Sequence, residues 1–167
     1  MNALQRLTRL AAPFALVTIA AFTGNASAAP LNDDAVSALN AALDDEYHAE
    51  AIYNAVISKF GALRPFVNII RAEQQHQAML VDLFKTYDLA VPANSYLNGE
   101  KPLGEIPASV AESCAVGVTA EIANRDLYNE QLLPKVAGYG DITTVFEALR
   151  DASEFNHLPA FERCANR

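Results

Sequence analysis

The chain has 167 residues, 51% of them apolar, and carries 12 Lys+Arg against 20 Asp+Glu for a formal net charge of −8. That length suits one domain, and that composition excludes a disordered or collagen-like chain and gives no basic surface for nucleic acid. With no Trp, 7 Gly and 8 Pro a turn-rich all-β fold is disfavoured, and 2 Cys are too few for a disulfide-stapled miniprotein or a four-Cys zinc site.

Residues 1–28 read as a secretory signal. Arg6 and Arg9 form a basic start, 10–23 is an uncharged apolar run, and Ala26-Ser27-Ala28 is a small-residue cleavage site, cut before Ala29. The alternative is a retained anchor, but the run is short of the roughly 20 residues that a membrane span needs. The expectation is a periplasmic or secreted domain, 29–167, with no stable membrane insertion after cleavage.

Four helices and no strand are predicted beyond it. The first covers 33–60, with Asn32 as N-cap and Gly61 as stop; its seam is Val36, Leu39, Leu43, Glu46, Glu50, Tyr53, Ile57 and Phe60. The second starts near Pro65 and runs to about 88 along Phe66, Ile69, Glu73, His76, Leu80, Leu83 and Tyr87. Residues 89–107, rich in Pro and Gly, form a long connection. The third helix runs over 108–133, ended by Pro134, with Val110, Cys114, Glu121, Asn124, Tyr128 and Leu132 inward. Asp141 caps the fourth, which reaches about 164 with Ile142, Val145, Leu149, Glu154, His157 and Phe161 on its inner side. Two short turns make two antiparallel hairpins. The long connection fits either a simple up-down bundle or a crossover from one end to the other; the crossover is the favoured expectation.

The two halves repeat. Glu46 precedes Tyr53 by seven residues, as Glu121 precedes Tyr128; Glu73-Gln74-Gln75-His76 is matched by Glu154-Phe155-Asn156-His157. Residues three apart on a helix share a side, so each Glu-x-x-His offers a carboxylate oxygen and an imidazole nitrogen to one ion. Acids in mid-seam are costly unless paired or metal-bound, and no cation stands near them on the seams. Four Glu and two His match a dinuclear carboxylate centre. The competing reading is a carboxylate–imidazole network without metal.

These residues resemble the ferritin-like superfamily with rubrerythrin-type Glu-x6-Tyr helices. More closely, the chain is similar to a bacterial and archaeal ferritin-like family of unknown function over roughly 39–164. The resemblance rests on Asp45-Glu46-x-x-Ala49-x-x-x-Tyr53, Ala72-Glu73-Gln74-Gln75-His76, Tyr87-Asp88-Leu89 and Asn156-His157-Leu158-Pro159-Ala160-Phe161. It implies a ferritin-like four-helix bundle with a di-metal site held by Glu46, Glu73, His76, Glu121, Glu154 and His157. Pro159 departs from the expected pattern and removes a bond to the carbonyl of Phe155, which puts the geometry of the second Glu-x-x-His in question.

Height along the hairpin favours Glu50 over Glu46; the repeat and the family pattern favour Glu46, with Glu50 beside it. Tyr53 and Tyr128 are either core, or hydrogen-bonded to ligand carboxylates, or an electron relay. His48 lies on the opposite side of its helix and is expected in solvent. Cys114 stands seven before Glu121 and Cys164 seven after His157, which predicts a Cys114–Cys164 disulfide in an exported protein. The expected cofactor is two iron ions, with Mn, Zn or mixed metals as alternatives. Expected partners are O2 or peroxide, an electron donor the sequence does not identify, and a second copy in a homodimer. Ferroxidase- or peroxidase-type oxidoreductase chemistry, metal scavenging without turnover, and a metal-free structural bundle are the three functional readings.

Overall fold

The computed structural model describes residues 30–167; the segment read as an export signal lies outside them. All regular structure among the described residues is helical, with no strand. Helix α1 is Asp33–Phe60 and α2 is Phe66–Thr86. Helix α3 begins as Val110–Leu127, widens into a π turn over Tyr128–Leu132 and resumes as Leu133–Val136. Helix α4 is built the same way, from Gly140–Ala152 through a π turn at Ser153–His157 to Leu158–Ala165. No helix among the described residues is long and apolar enough to cross a membrane.

Local chemistry accounts for the ends. Asn32 caps α1 by accepting from the Ala35 amide at 2.8 Å, and Gly61 leaves the helix with φ +91°, a conformation L side chains resist. Helix α3 opens with a reciprocal box in which Ser109 and Glu112 satisfy each other's backbone N–H. Pro134 does not end α3 as the sequence suggested. A proline lacks an N–H and its ring crowds the carbonyl four residues back, here Glu130 and, for Pro159, Phe155. In both helices the turn just before the proline widens instead: Leu133 donates to the Tyr128 carbonyl and Leu158 to that of Ser153, one residue further back than in an α-helix.

Helix α1 packs along α2, and α3 along α4, with α1 also against α3. The core is in two parts. One gathers Leu39, Leu43, Leu80, Phe84, Tyr128, Phe146 and Leu149; the other gathers Tyr53, Val56, Phe66, Ile69, Cys114 and Phe161. Each such side chain contributes about 2 kcal/mol on burial. Along every helix the break between the two parts is polar: Glu46 and Glu50 on α1, Glu73 and His76 on α2, Glu121 on α3, Ser153 and His157 on α4, all buried. Cys114 and Cys164 form a disulfide with Cα atoms 5.7 Å apart. Beside it Gly117 lets Phe161 close in; a Cβ there would stand 2.6 Å from the ring.

Residues 89–107 lie along α1. Tyr47 donates to the Pro92 carbonyl at 3.1 Å, Tyr96 to Asp44 at 3.0 Å, and Lys59 to the carbonyls of Ile106 and Pro107 at 2.9 Å each. This covering corrects the expectation for His48, which is half-buried with its ring 4.8 Å from that of Tyr96.

Candidate metal centre

Five of the six sequence-selected ligands meet in the polar layer. Glu46, Glu73 and His76 form one group and Glu73, Glu121 and His157 a second, with the donor atoms of each group within 4.8 Å of one another. Glu73 belongs to both. Its Oε2 lies 3.0 Å from His76 Nδ1 and its Oε1 3.3 Å from His157 Nδ1. On the outer flanks Glu46 Oε2 is 3.1 Å from His76 Nδ1, and Glu121 Oε2 is 3.4 Å from His157 Nδ1. The two imidazoles stack with centroids 5.6 Å apart.

The sixth residue, Glu154, is not gathered with them. It is half-buried and close enough to Arg125 for its charge to be felt there. The π turn is the reason. Residues three apart share a side only at the α pitch; in the wider turn Ser153 and His157, four apart, are the pair that points inward. Glu73 and His76 stand on regular helix, so their spacing works as the sequence suggested.

Both tyrosines reach across the repeat. Tyr53 donates to Glu121 Oε1 at 2.8 Å and Tyr128 to Glu46 Oε1 at 3.0 Å. Each of these carboxylates therefore has one oxygen anchored by a phenol and the other turned to an imidazole. Glu50 is occupied differently. Its Oε1 accepts from Gln74 at 2.9 Å, and its Oε2 accepts from Gln77 at 3.1 Å and from Asn94 at 3.3 Å. Amide donors thus satisfy the acid that competed with Glu46, and fasten the connection to α1. None of these three amides was selected from the sequence. Neither was the relay in which Ser153 donates to Asn124 Oδ1 at 2.7 Å and Asn124 to Asp45; Asn124 was legible only as an inward seam position.

Electrostatics mark the same place. Burial, then the charges of Glu46, Glu121 and Asp45, hold the Glu73 carboxyl well above the ordinary range. Burial also opposes ionisation of Glu46, but hydrogen bonds with His76, Glu73 and Tyr128 outweigh it and lower its pKa. Burial and the Glu46 charge raise Asp45 to about 6, against the hydrogen bond from Asn124. Burial and the neighbouring carboxylates push Tyr53 and Tyr128 well above 10, so both stay protonated donors. Among the described residues no Lys or Arg is hydrogen-bonded to Glu46, Glu73 or Glu121, and buried His157 Nδ1 has no hydrogen-bond partner. A divalent ion fits both facts: it neutralises the acids and takes the orphaned nitrogen.

No protein-family model matches the chain, and no curated protein matches it. Its fold is similar to the crystal structure of a hypothetical protein from Methanococcus jannaschii DSM 2661, at TM-score 0.70 and 23% identity, with 83% of each chain covered.

Proposed function

We propose that the protein is an exported ferritin-like bundle whose polar layer holds a dinuclear metal centre, two iron ions first of all, with oxidoreductase chemistry on O2 or peroxide of ferroxidase or peroxidase type. One observation carries this reading: Glu73 directs its two oxygens to two different histidines, each flanked by one further carboxylate. Glu46, Glu73 and His76 would hold one ion, and Glu73, Glu121 and His157 would hold the other. Glu/His donors also accept Mn or Zn. Bound iron would supply two adjacent one-electron couples. The chain's own part is to hold the donors: Tyr53 and Tyr128 fix the carboxylates, and the two apolar clusters pack against the layer at its two ends along the bundle.

The ferritin-like arrangement is part of the proposal. Contacts between α1 and α2 pair Glu46 with His76 and Glu50 with Gln74, and those between α3 and α4 pair Asn124 with Ser153 and Cys114 with Cys164. Numbers rise on one helix as they fall on the other, which supports two antiparallel hairpins. The connection touches α1 at Asp44 and again at Lys59, which supports a crossover. The disulfide and the sequence of residues 1–28 support export.

Elemental analysis of protein purified under low oxygen tests the centre, with two metal equivalents per chain expected. Consumption of O2 or peroxide by the Fe(II)-loaded protein tests the chemistry. Two bound irons without consumption would make it a scavenging bundle; no bound metal would overturn the reading.

A further inference from the structure

Beside the polar layer, α1 and α3 leave a gap. Small residues line its middle, Ala49 on α1 and Ala120 and Ala123 on α3, between larger ones such as Ile52 and Leu127. The segment containing Leu103 and Ile106 roofs it, held down by Lys59 through the Ile106 and Pro107 carbonyls. The result is a groove of about 520 Å³ whose lining is mainly apolar and whose floor is Tyr53, Glu73 and Glu121. Its size and character are those of a small-molecule site.

The charged lining is of one sign. Asp45 and Glu105 border the groove together with the floor carboxylates, and no Lys or Arg lines it. Lys59 spends its ammonium on backbone carbonyls. Asp45 Oδ2 accepts from Asn124, and among the described residues no group donates to its Oδ1. Even with two divalent ions on the floor, Asp45 and Glu105 remain as acids that the ions do not neutralise by contact. In the metal-free groove an anion meets carboxylates with nothing to pair it; a neutral body gains only apolar contact. A protonated amine gains both.

We propose that this groove binds a small organic amine, with its hydrocarbon body between α1 and α3 and its ammonium toward Asp45 and Glu105. The amine would be the ligand presented to the metal centre, so the inference rests on that reading for its place in the chemistry, while the groove's apolar walls and the two acids facing the ammonium, Asp45 and Glu105, lie outside the ligand set.

Titration calorimetry of the full-length protein at neutral pH with n-hexylamine, 1-hexanol and hexanoate tests it, on metal-free and metal-loaded samples whose metal content is measured in parallel. In the metal-free protein hexylamine is expected to bind about tenfold or more tightly than hexanol, and hexanoate weakest of the three. Ala123→Trp, at an exposed position of α3, fills the groove and should abolish hexylamine binding with metal content unchanged. Glu105→Gln, on the exposed connection, should narrow the gap between amine and alcohol. Equal binding of hexanol and hexylamine, or amine binding that survives Ala123→Trp, would overturn the inference. So would amine binding confined to loaded protein and indifferent to both variants, because the amine would then sit on the ions. Amine binding in a protein that takes up no metal would leave the groove standing and remove the metal reading; two metals with no amine binding would do the reverse.

Discussion

Tyr53 of α1 donates its hydroxyl proton to Glu121 of α3 at 2.8 Å, and the repeat returns the favour through Tyr128 and Glu46 at 3.0 Å. Each half of the chain thus supplies the phenol that orients the other half's carboxylate. Removing either hydroxyl leaves a buried oxygen without its donor. Tyr53→Phe and Tyr128→Phe should each cost about 1–3 kcal/mol in the metal-free protein by urea unfolding. Each should also weaken metal affinity by about 10–100-fold, because in the proposed centre the loosened carboxylate would be a ligand. Full affinity in both variants would make the tyrosines core residues only.

Because Glu73 faces both histidines, Glu73→Gln should remove both metal equivalents together. Glu46→Gln and Glu121→Gln each disturb one group, so metal content should fall toward one equivalent per chain. Elemental analysis of the three variants at equal loading checks the order.

Glu50 makes the contrasting case. Its oxygens already carry three amides, so Glu50→Gln should leave the metal stoichiometry intact. It should loosen the connection near Asn94, read as faster amide hydrogen exchange there. Loss of a metal equivalent would return Glu50 to the ligand set.

The metal-free protein should respond to pH with a defined sign. Glu73 holds its proton more tightly folded than unfolded, so its contribution is fully present below the ordinary Glu range and is lost as pH rises through its native value. Asp45, raised to about 6, acts the same way between the ordinary Asp range and about 6. Glu46, lowered, has the opposite sign and its contribution is lost on acidification. With two raised groups against one, melting temperature should fall as pH rises above about 5 in the presence of a chelator. Metal displaces the Glu73 proton, so adding Zn(II) or Mn(II) should release protons to an indicator dye and reverse the slope.

The Cys114–Cys164 bond closes a loop with a sequence separation of 50. The chain-entropy relation for a loop of that length gives about 4 kcal/mol. Replacing both Cys by Ala should lower stability by up to this amount, measured by urea unfolding of oxidised protein and double variant.

Much of this was legible in the sequence where α-helical periodicity runs undisturbed. Glu46, Tyr53, Glu73, His76 and Glu121 were found because seven- and three-residue spacings translate directly into a shared side on regular helix. Glu154 was misplaced because that translation lapses inside the π turn at Ser153–His157; Pro159 was the visible signal, and Pro134 announces its counterpart. His48 went astray for a non-local reason, since helical angle alone does not show that residues 89–107 fold back over α1. The amides on Glu50 were hidden likewise, as Asn94 sits 44 residues away.

The two widened turns also constrain chain length. Each holds one residue more than an α-helix would place in the same stretch, so tightening 153–157 to ordinary pitch with all five residues kept would overwind α4. Everything beyond would then rotate by about 100°. His157 or Phe161 would swing outward and Cys164 would lose its mate. Insertions and deletions should be tolerated in residues 97–101 at the surface; at these two places an insertion should be rejected and only removal of the single extra residue keeps the far end of the rod in phase with its neighbours.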